Sequence, residues 1–262
     1  MDKNALETRL KWEKRGSEAK EVPMGLNGKR IVILGGTSGI GLAVAQAAVG
    51  EGAQVVVVSS NSDRLDRALS SLPAGSEGRV ANLLSNREVA ALFEDIGDFD
   101  HLVYTAGEAL QIAPLETLDI SIARSFFELR YWGALAAAKA AQGKLRPGGS
   151  IVFTSGVAGA RPGSGWSVAS SICSAMEGLT RALAVELAPI RVNIVSPGVV
   201  RTALWSEMDE EAREALYASE AGRLPVGHVA EASEIADGYL YLMRQTYATG
   251  QVLALDGGGL LV

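Results

Sequence analysis

The strongest chemical signal in the chain is the run Gly35-Gly36-Thr37-Ser38-Gly39-Ile40-Gly41. Glycines at 35, 39 and 41 let the backbone turn sharply and approach a bound group closely. The helix-spaced apolar run that begins at Gly39 would offer free N–H groups and the positive end of its dipole to a pyrophosphate. The spacing is G-x-x-x-G-x-G, not G-x-G-x-x-G, and a bare glycine cluster could be only a tight strand–helix turn. Its place after the first strand of a βαβ pattern makes it a dinucleotide site. Arg130 is the second candidate. Its guanidinium is a fixed fork of donors suited to a carboxylate, enolate or carbonyl oxygen, and an arginine side chain does not serve as an ordinary acid. Positions 126, 127, 133 and 134 are not acidic, so no local helix pair accounts for the charge. The reading is that Arg130 faces a substrate pocket; the alternative is an ion pair at a subunit interface. Trp132 reads as a packing residue, and Trp166 equally as packing or ligand-facing. Cys173 has no histidine near it in sequence and reads as a buried, inert thiol. Asp256, before three glycines, reads as a turn residue.

Composition removes several function classes. The chain has 262 residues, 48% apolar and 21% charged, with a net charge of −6. Without a basic footprint, a nucleic-acid partner is not expected. One cysteine permits no internal disulfide and no cysteine-based zinc cluster. The two histidines, His101 and His228, read as local polar residues, and no metal site is expected. No apolar run reaches the ~18 residues of a membrane span. The first twenty residues carry ten charges and no apolar stretch of a secretory signal, so the expected location is the cytoplasm.

The elements that must position these residues follow from periodicity. Residues 1–28 are charge-dense and read as a flexible tail, with Leu6 and Leu10 spaced for at most a short helix. From Arg30 onward, strands are expected at 30–34, 54–58, 79–81, 101–104, 150–154, 191–195 and 251–255. Helices are expected at 39–50, 63–72, 87–96, 120–145, 170–188, 208–221 and 232–243, with Pro147-Gly148-Gly149 stopping the long Ala-rich one. Continuous β-branched runs such as Gln54–Val58 suit strands covered on both faces. The expectation is an α/β fold: one doubly wound, Rossmann-type domain over 29–262 with a seven-stranded parallel sheet and right-handed crossovers.

Four motifs, GGTSGIG at 35–41, YTAG at 104–107, VNIVSPGVVRT at 192–202 and ATGQVLALDGG at 248–258, resemble the short-chain dehydrogenase/reductase family. The resemblance covers about residues 28–262 and implies a Rossmann fold, a nicotinamide cofactor, a small-molecule substrate and a dimer or tetramer. It implies cofactor contacts from the loop Gly35, Thr37, Ser38, Gly39, Ile40 and Gly41, with Gly35, Ser38 and Ile40 at the pyrophosphate. It places Asn82, followed by Leu83, at the adenine, Ala106 and Gly107 at the ribose, and Pro197, Gly198, Val200 and Thr202 at the nicotinamide. Leu34 stands where the family usually has Thr, and Tyr104-Thr105 where it usually has Asn-Asn. After Val58 no acidic residue occupies 59–62, as an NAD site would favour; Ser59, Ser60 and Asn61, with Arg64, suit a 2′-phosphate. NADP(H) is therefore expected over NAD(H). The other reading of these residues is a helix cap and a solvated charge.

The family usually reduces carbonyls with Ser, a Tyr-x-x-x-Lys pair and a helix Asn. Those positions fall on Gly156, Ala169, Cys173 and Arg130. Neither Ala169 nor Gly156 can move a proton, and Ser155, beside Gly156, would by strand alternation point to the other face. The marks Arg130-Tyr131-Trp132-Gly133, Thr154-Ser155-Gly156 and Arg161-Pro162 followed by Gly165-Trp166-Ser167 resemble an atypical subgroup of bacteria and fungi, including the malbrancheamide-type reductases that lack the Tyr and Lys. An Asp of their pocket would fall at Gly163, so their full mechanism does not carry over. Arg130, Trp166 and Ser155 are the candidate catalytic residues. The expected activity is reduction of an imine, an activated C=C bond or a special carbonyl. A non-redox cyclase or isomerase, or a non-catalytic dinucleotide-binding protein, would use the same fold. Trp205, Met208 and Leu216, in the segment expected to cover the substrate, suggest an apolar one.

Overall fold

In the computed structural model, residues 25–109 and 112–262 are described; the tail reading for the earlier residues lies outside them, except that Leu26 is buried in the core. The main sheet contains β1 (Arg30–Leu34), β2 (Gln54–Ser59), β3 (Glu77–Val80), β4 (Phe99–Tyr104), β5 (Leu145–Thr154) and β6 (Arg191–Pro197). After the short strands β7 (Val200–Arg201) and β8 (Ala230–Glu231), it is completed by β9 (Val252–Leu255). All seven main strands are parallel, in the order β3-β2-β1-β4-β5-β6-β9. β1 is central because both its faces are apolar. Val32 and Leu34 join one core layer, and Ile31 and Ile33 the other.

Helices cover both layers. On one side lie α1 (Gly39–Gly50), α2 (Ser62–Ser70) and, from the far end of the chain, α8 (Ala232–Arg244). On the other lie α3 (Asn86–Ile96), α4 (Ile120–Phe127), α5 (Ala134–Ala141) and α6 (Ser167–Glu186). The remaining helix, α7 (Glu210–Arg223), packs Tyr217 with Trp205 and Val229 in a small third cluster over the site. The doubly wound Rossmann-type expectation stands. Strand order reverses between β1 and β4, which opens a crevice beyond Leu34 and Tyr104.

The long Ala-rich helix differs from expectation. It is not one helix to Leu145: a π turn, Glu128–Gly133, separates α4 from α5, and α5 ends at Ala141. Leu145 already pairs with Phe99, so Pro147-Gly148-Gly149 lies inside β5 as a register shift instead of stopping a helix. The main chain of Gly149 packs against the Asp100 carbonyl, where any side chain would collide. α6 begins three residues earlier than the periodicity predicts, at Ser167, because the turn through Gly165 (φ +80) delivers the chain there. β7 and β8 form an extra two-stranded parallel pair that the short, mixed sequences did not signal.

The opposite end of the sheet is fastened by a buried carboxylate. Asp100 accepts from the Arg30 N–H at 2.9 Å, from Lys29 Nζ at 3.1 Å and from Arg146 at 3.1 Å. Burial raises its pKa, but these donors outweigh it and hold the carboxyl below its ordinary value. One side chain thus ties the starts of β1, β4 and β5.

Candidate active site

The glycine loop has the shape a dinucleotide requires. Gly35 sits at φ +87, and a Cβ there would lie 2.6 Å from the Ala106 nitrogen, so the loops after β1 and β4 touch main chain to main chain. Gly39 sits at φ +50 beside the Thr202 methyl, which brings the segment after β6 to the same place. Ser38 precedes α1 without a side-chain cap bond, and the first turn holds no acidic residue. By contrast, Asn61, Ser85, Asp119 and Asp209 cap α2, α3, α4 and α7. The free N–H groups of α1 are therefore left for an anion, and the residues present fit a pyrophosphate.

The other cofactor candidates divide by what their side chains already do. Ser60, Asn61 and Arg64 are exposed at the end of β2. Asn61 Oδ1 accepts from the Arg64 N–H at 2.8 Å, and Ser59 Oγ accepts from the Asn61 N–H at 3.2 Å. The capping role is real, and it leaves the Asn61 amide group and the Arg64 guanidinium facing outward. Asn82 Oδ1 accepts from the Leu84 N–H, and Leu83 is buried in the core, so Leu83 can offer a ligand only its backbone. Thr202 Oγ1 accepts from the Leu204 N–H at 3.3 Å, while buried Val200 gives its carbonyl to Trp205 Nε1 at 3.0 Å. Gly198 packs on Asp256, and a Cβ on Gly156 would lie 3.8 Å from the Pro197 carbonyl oxygen at the end of the neighbouring strand.

Arg130 lies on the π turn with its guanidinium against Gly107: a Cβ on Gly107 would sit 2.7 Å from Cζ. Its partner is a residue that the sequence reading missed. Arg130 Nη2 donates to the Glu108 carbonyl, and Nε lies 3.6 Å from Glu108 Oε2. Burial raises the Glu108 pKa, and Arg130 works against that rise. The only sequence signal was an acidic residue directly after Gly107. Helix spacing could not reveal it, because the pair spans a loop and a helix.

The positions expected to hold a serine and a lysine are neighbours. A Cβ on Gly156 would meet Cys173 Sγ at 3.4 Å. Burial pushes the Cys173 thiol up; Ser155 and Arg130 pull it down, and Glu177 pushes it further up. Ser155 is not turned away from α6. β5 ends at Thr154, so strand alternation no longer governs Ser155, and its Oγ donates to the Cys173 carbonyl at 3.2 Å. Trp166 stacks at a tilt on Trp205, ring centres 6.3 Å apart, over Gly163 and among Val199, Leu204, Met208 and Leu216. It joins the loop before α6 to the covering segment, so one of its faces is used for packing.

A sequence profile described as Enoyl-(Acyl carrier protein) reductase matches residues 35–259. The chain is 35% identical over 254 residues to the short-chain dehydrogenase/reductase fsr5 of Gibberella fujikuroi, covering 90% of this chain and 96% of that relative. A small-chain dehydrogenase solved in complex with NADPH superposes with a TM-score of 0.76 at 35% identity, over 90% of this chain and all 100% of that one. The MalC reductase/Diels-Alderase of Malbranchea aurantiaca superposes with a TM-score of 0.84 at 30% identity, over 90% of this chain and 98% of that one. Glycine loop, crevice and matches together make the chain a member of the short-chain dehydrogenase/reductase family.

Proposed function

We propose that the protein is an NADP(H)-dependent reductase with an atypical active site, acting on the C=N bond of an iminium ion, or of an imine already protonated in solution, in a small apolar molecule. The carrying observation is the set Gly156, Ala169, Cys173 and Arg130 at the positions where the resemblance places Ser, Tyr, Lys and Asn. Reducing a ketone creates an alkoxide that needs a proton donor or strong anion stabilisation. Reducing an iminium creates a neutral amine that needs neither. The reduced nicotinamide, when bound, supplies the hydride. Ser38 and the first turn of α1 would hold its pyrophosphate, and Ser60, Asn61 and Arg64 its 2′-phosphate. Arg130, already steered by Glu108, would bind a polar oxygen of the substrate, while Trp166 and Trp205 shelter its apolar part. An activated C=C bond or a carbonyl polarised by Arg130 would meet the same site.

The small-chain dehydrogenase bound to NADPH supports the cofactor reading. A cyclase or isomerase reaction is the second reading, favoured by the name reductase/Diels-Alderase carried by a structural relative. NADPH consumption separates the two. Fluorescence titration should show tighter binding of NADPH than NADH, and a panel of cyclic iminium ions should be turned over while simple ketones stay near background. Arg130→Ala should leave NADPH affinity and folding intact and remove that turnover. A variant that unfolds instead would make the arginine structural.

A further inference from the structure

Tyr104 ends β4 and is buried, with its ring edge-on to Phe153. Its hydroxyl donates to the Leu129 carbonyl at 2.6 Å. Leu129 lies in the π turn, and a turn widened by one residue leaves its carbonyls poorly matched to helix donors. Gly133 makes room for the contact, since a Cβ there would sit 2.6 Å from the Tyr104 hydroxyl oxygen. Burial raises the phenol pKa well above its ordinary value, which keeps it a donor.

The main chain of Tyr104 is held as well. Thr154 Oγ1 donates to the Tyr104 carbonyl at 2.7 Å. With that proton committed, Tyr239 must be the donor in its 2.6 Å contact with Thr154 Oγ1. A directed chain therefore runs from α8 through β5 to the end of β4, and the Tyr104 side chain carries the connection on to the π turn.

Arg130 is the next residue after Leu129. One residue more or less in a helix turns a side chain by about 100°. A relaxed, regular turn would therefore swing the guanidinium off Gly107. We infer that Tyr104 is a positioning residue: with Gly133, its hydroxyl fixes the wide turn and so aims Arg130 at Gly107 and Glu108. This rests on the reading of Arg130 given above.

Cys173 is the sole cysteine; burial raises its pKa and the Arg130 charge offsets part of that rise, so thiol chemistry reports where the guanidinium sits, with no substrate needed. The experiment follows iodoacetamide alkylation of the full chain from neutral to strongly alkaline pH. Arg130→Ala should move the thiol titration upward and slow alkylation at about pH 8 several-fold. Tyr104→Phe, which keeps the ring and loses the hydroxyl, should move it the same way by at least half as much. The double variant should go no further than Arg130→Ala alone. Gly133→Ala, which crowds the hydroxyl, should reproduce the shift and decides the case if Tyr104→Phe does not fold. A Tyr104→Phe titration identical to the parent's, with Arg130→Ala shifted, overturns the positioning role alone. No shift in Arg130→Ala overturns the placement of Arg130 itself, and the positioning role with it.

Discussion

Arg64, exposed in the first turn of α2, is proposed to meet the 2′-phosphate of the cofactor. Arg64 gives only its backbone N–H to the Asn61 cap, which leaves its side chain to meet a phosphate. A charge-assisted hydrogen bond contributes roughly 1.5–3 kcal/mol, so Arg64→Ala should narrow the preference for NADPH over NADH by about ten-fold or more. Titrating both cofactors against the variant checks this, and an unchanged ratio would leave Ser60 and Asn61 as the discriminating pair. Legibility at this scale depended on distance along the chain. Arg130, Trp166 and Cys173 announced themselves by type and by motif position. Glu108 and Tyr104 did not, because each meets the π turn across more than twenty residues: 22 between Glu108 and Arg130, and 25 between Tyr104 and Leu129. Ser155 was misjudged for a local reason, since strand alternation stops where the strand does.

At the scale of elements, the junction of β1 with α1 is the least forgiving part of the fold. A Cβ on Gly41 would strike both the Gly35 carbonyl and the Thr105 hydroxyl. That hydroxyl also donates to the Leu34 and Gly35 carbonyls, at 3.2 and 3.3 Å, so it has nowhere to retreat. Gly41→Ala should cost more than about 3 kcal/mol and abolish NADPH binding, as read by denaturant unfolding and by fluorescence. Periodicity placed all seven main strands and the helices between them, because long apolar runs punctuated by glycine have few other readings. It placed ends poorly. The Ala-rich stretch carries helix propensity through Leu145, yet strand pairing with Phe99 wins its last residues. The π turn has no signature in propensity at all; Tyr104 acts on it from outside the helix, and Gly133 within the turn leaves room for that contact.

Among the described residues, exposed apolar side chains gather on α4 and the π turn. Ile120, Ala123, Phe127 and Trp132, with the charged Arg124 and Glu128, line a shallow cleft on α4 and the π turn, and Trp132 is 54% exposed. We propose that this face closes a symmetric homo-oligomer, as the family resemblance implies. Trp132→Glu should reduce the mass in light scattering to the 27.4 kDa of one chain, while the parent runs at a multiple of it. A monomeric parent would reject the proposal. A second whole-molecule property is acid sensitivity. Burial, and then the nearby Arg191 charge, pull the His101 pKa from 6.5 down to about 3, so the folded state excludes a proton that the unfolded chain accepts. The contribution is complete above pH 6.5 and is lost as pH falls toward 3. The slope from this residue is at most about 1.4 kcal/mol per pH unit. Urea unfolding at several pH values in that window should show the fall, and His101→Gln should flatten it.

The Asp100 clasp lies at the end of the sheet away from the crevice. Lys29, Arg30 and Arg146 fasten the starts of β1, β4 and β5 there, through bonds that involve none of the side chains at the crevice. A protein built this way can exchange reactive side chains without renegotiating its architecture. Substitutions at Gly156, Cys173 or Arg130 would leave the bonds to Asp100 in place. The same separation makes the crevice a favourable place to graft new chemistry by design.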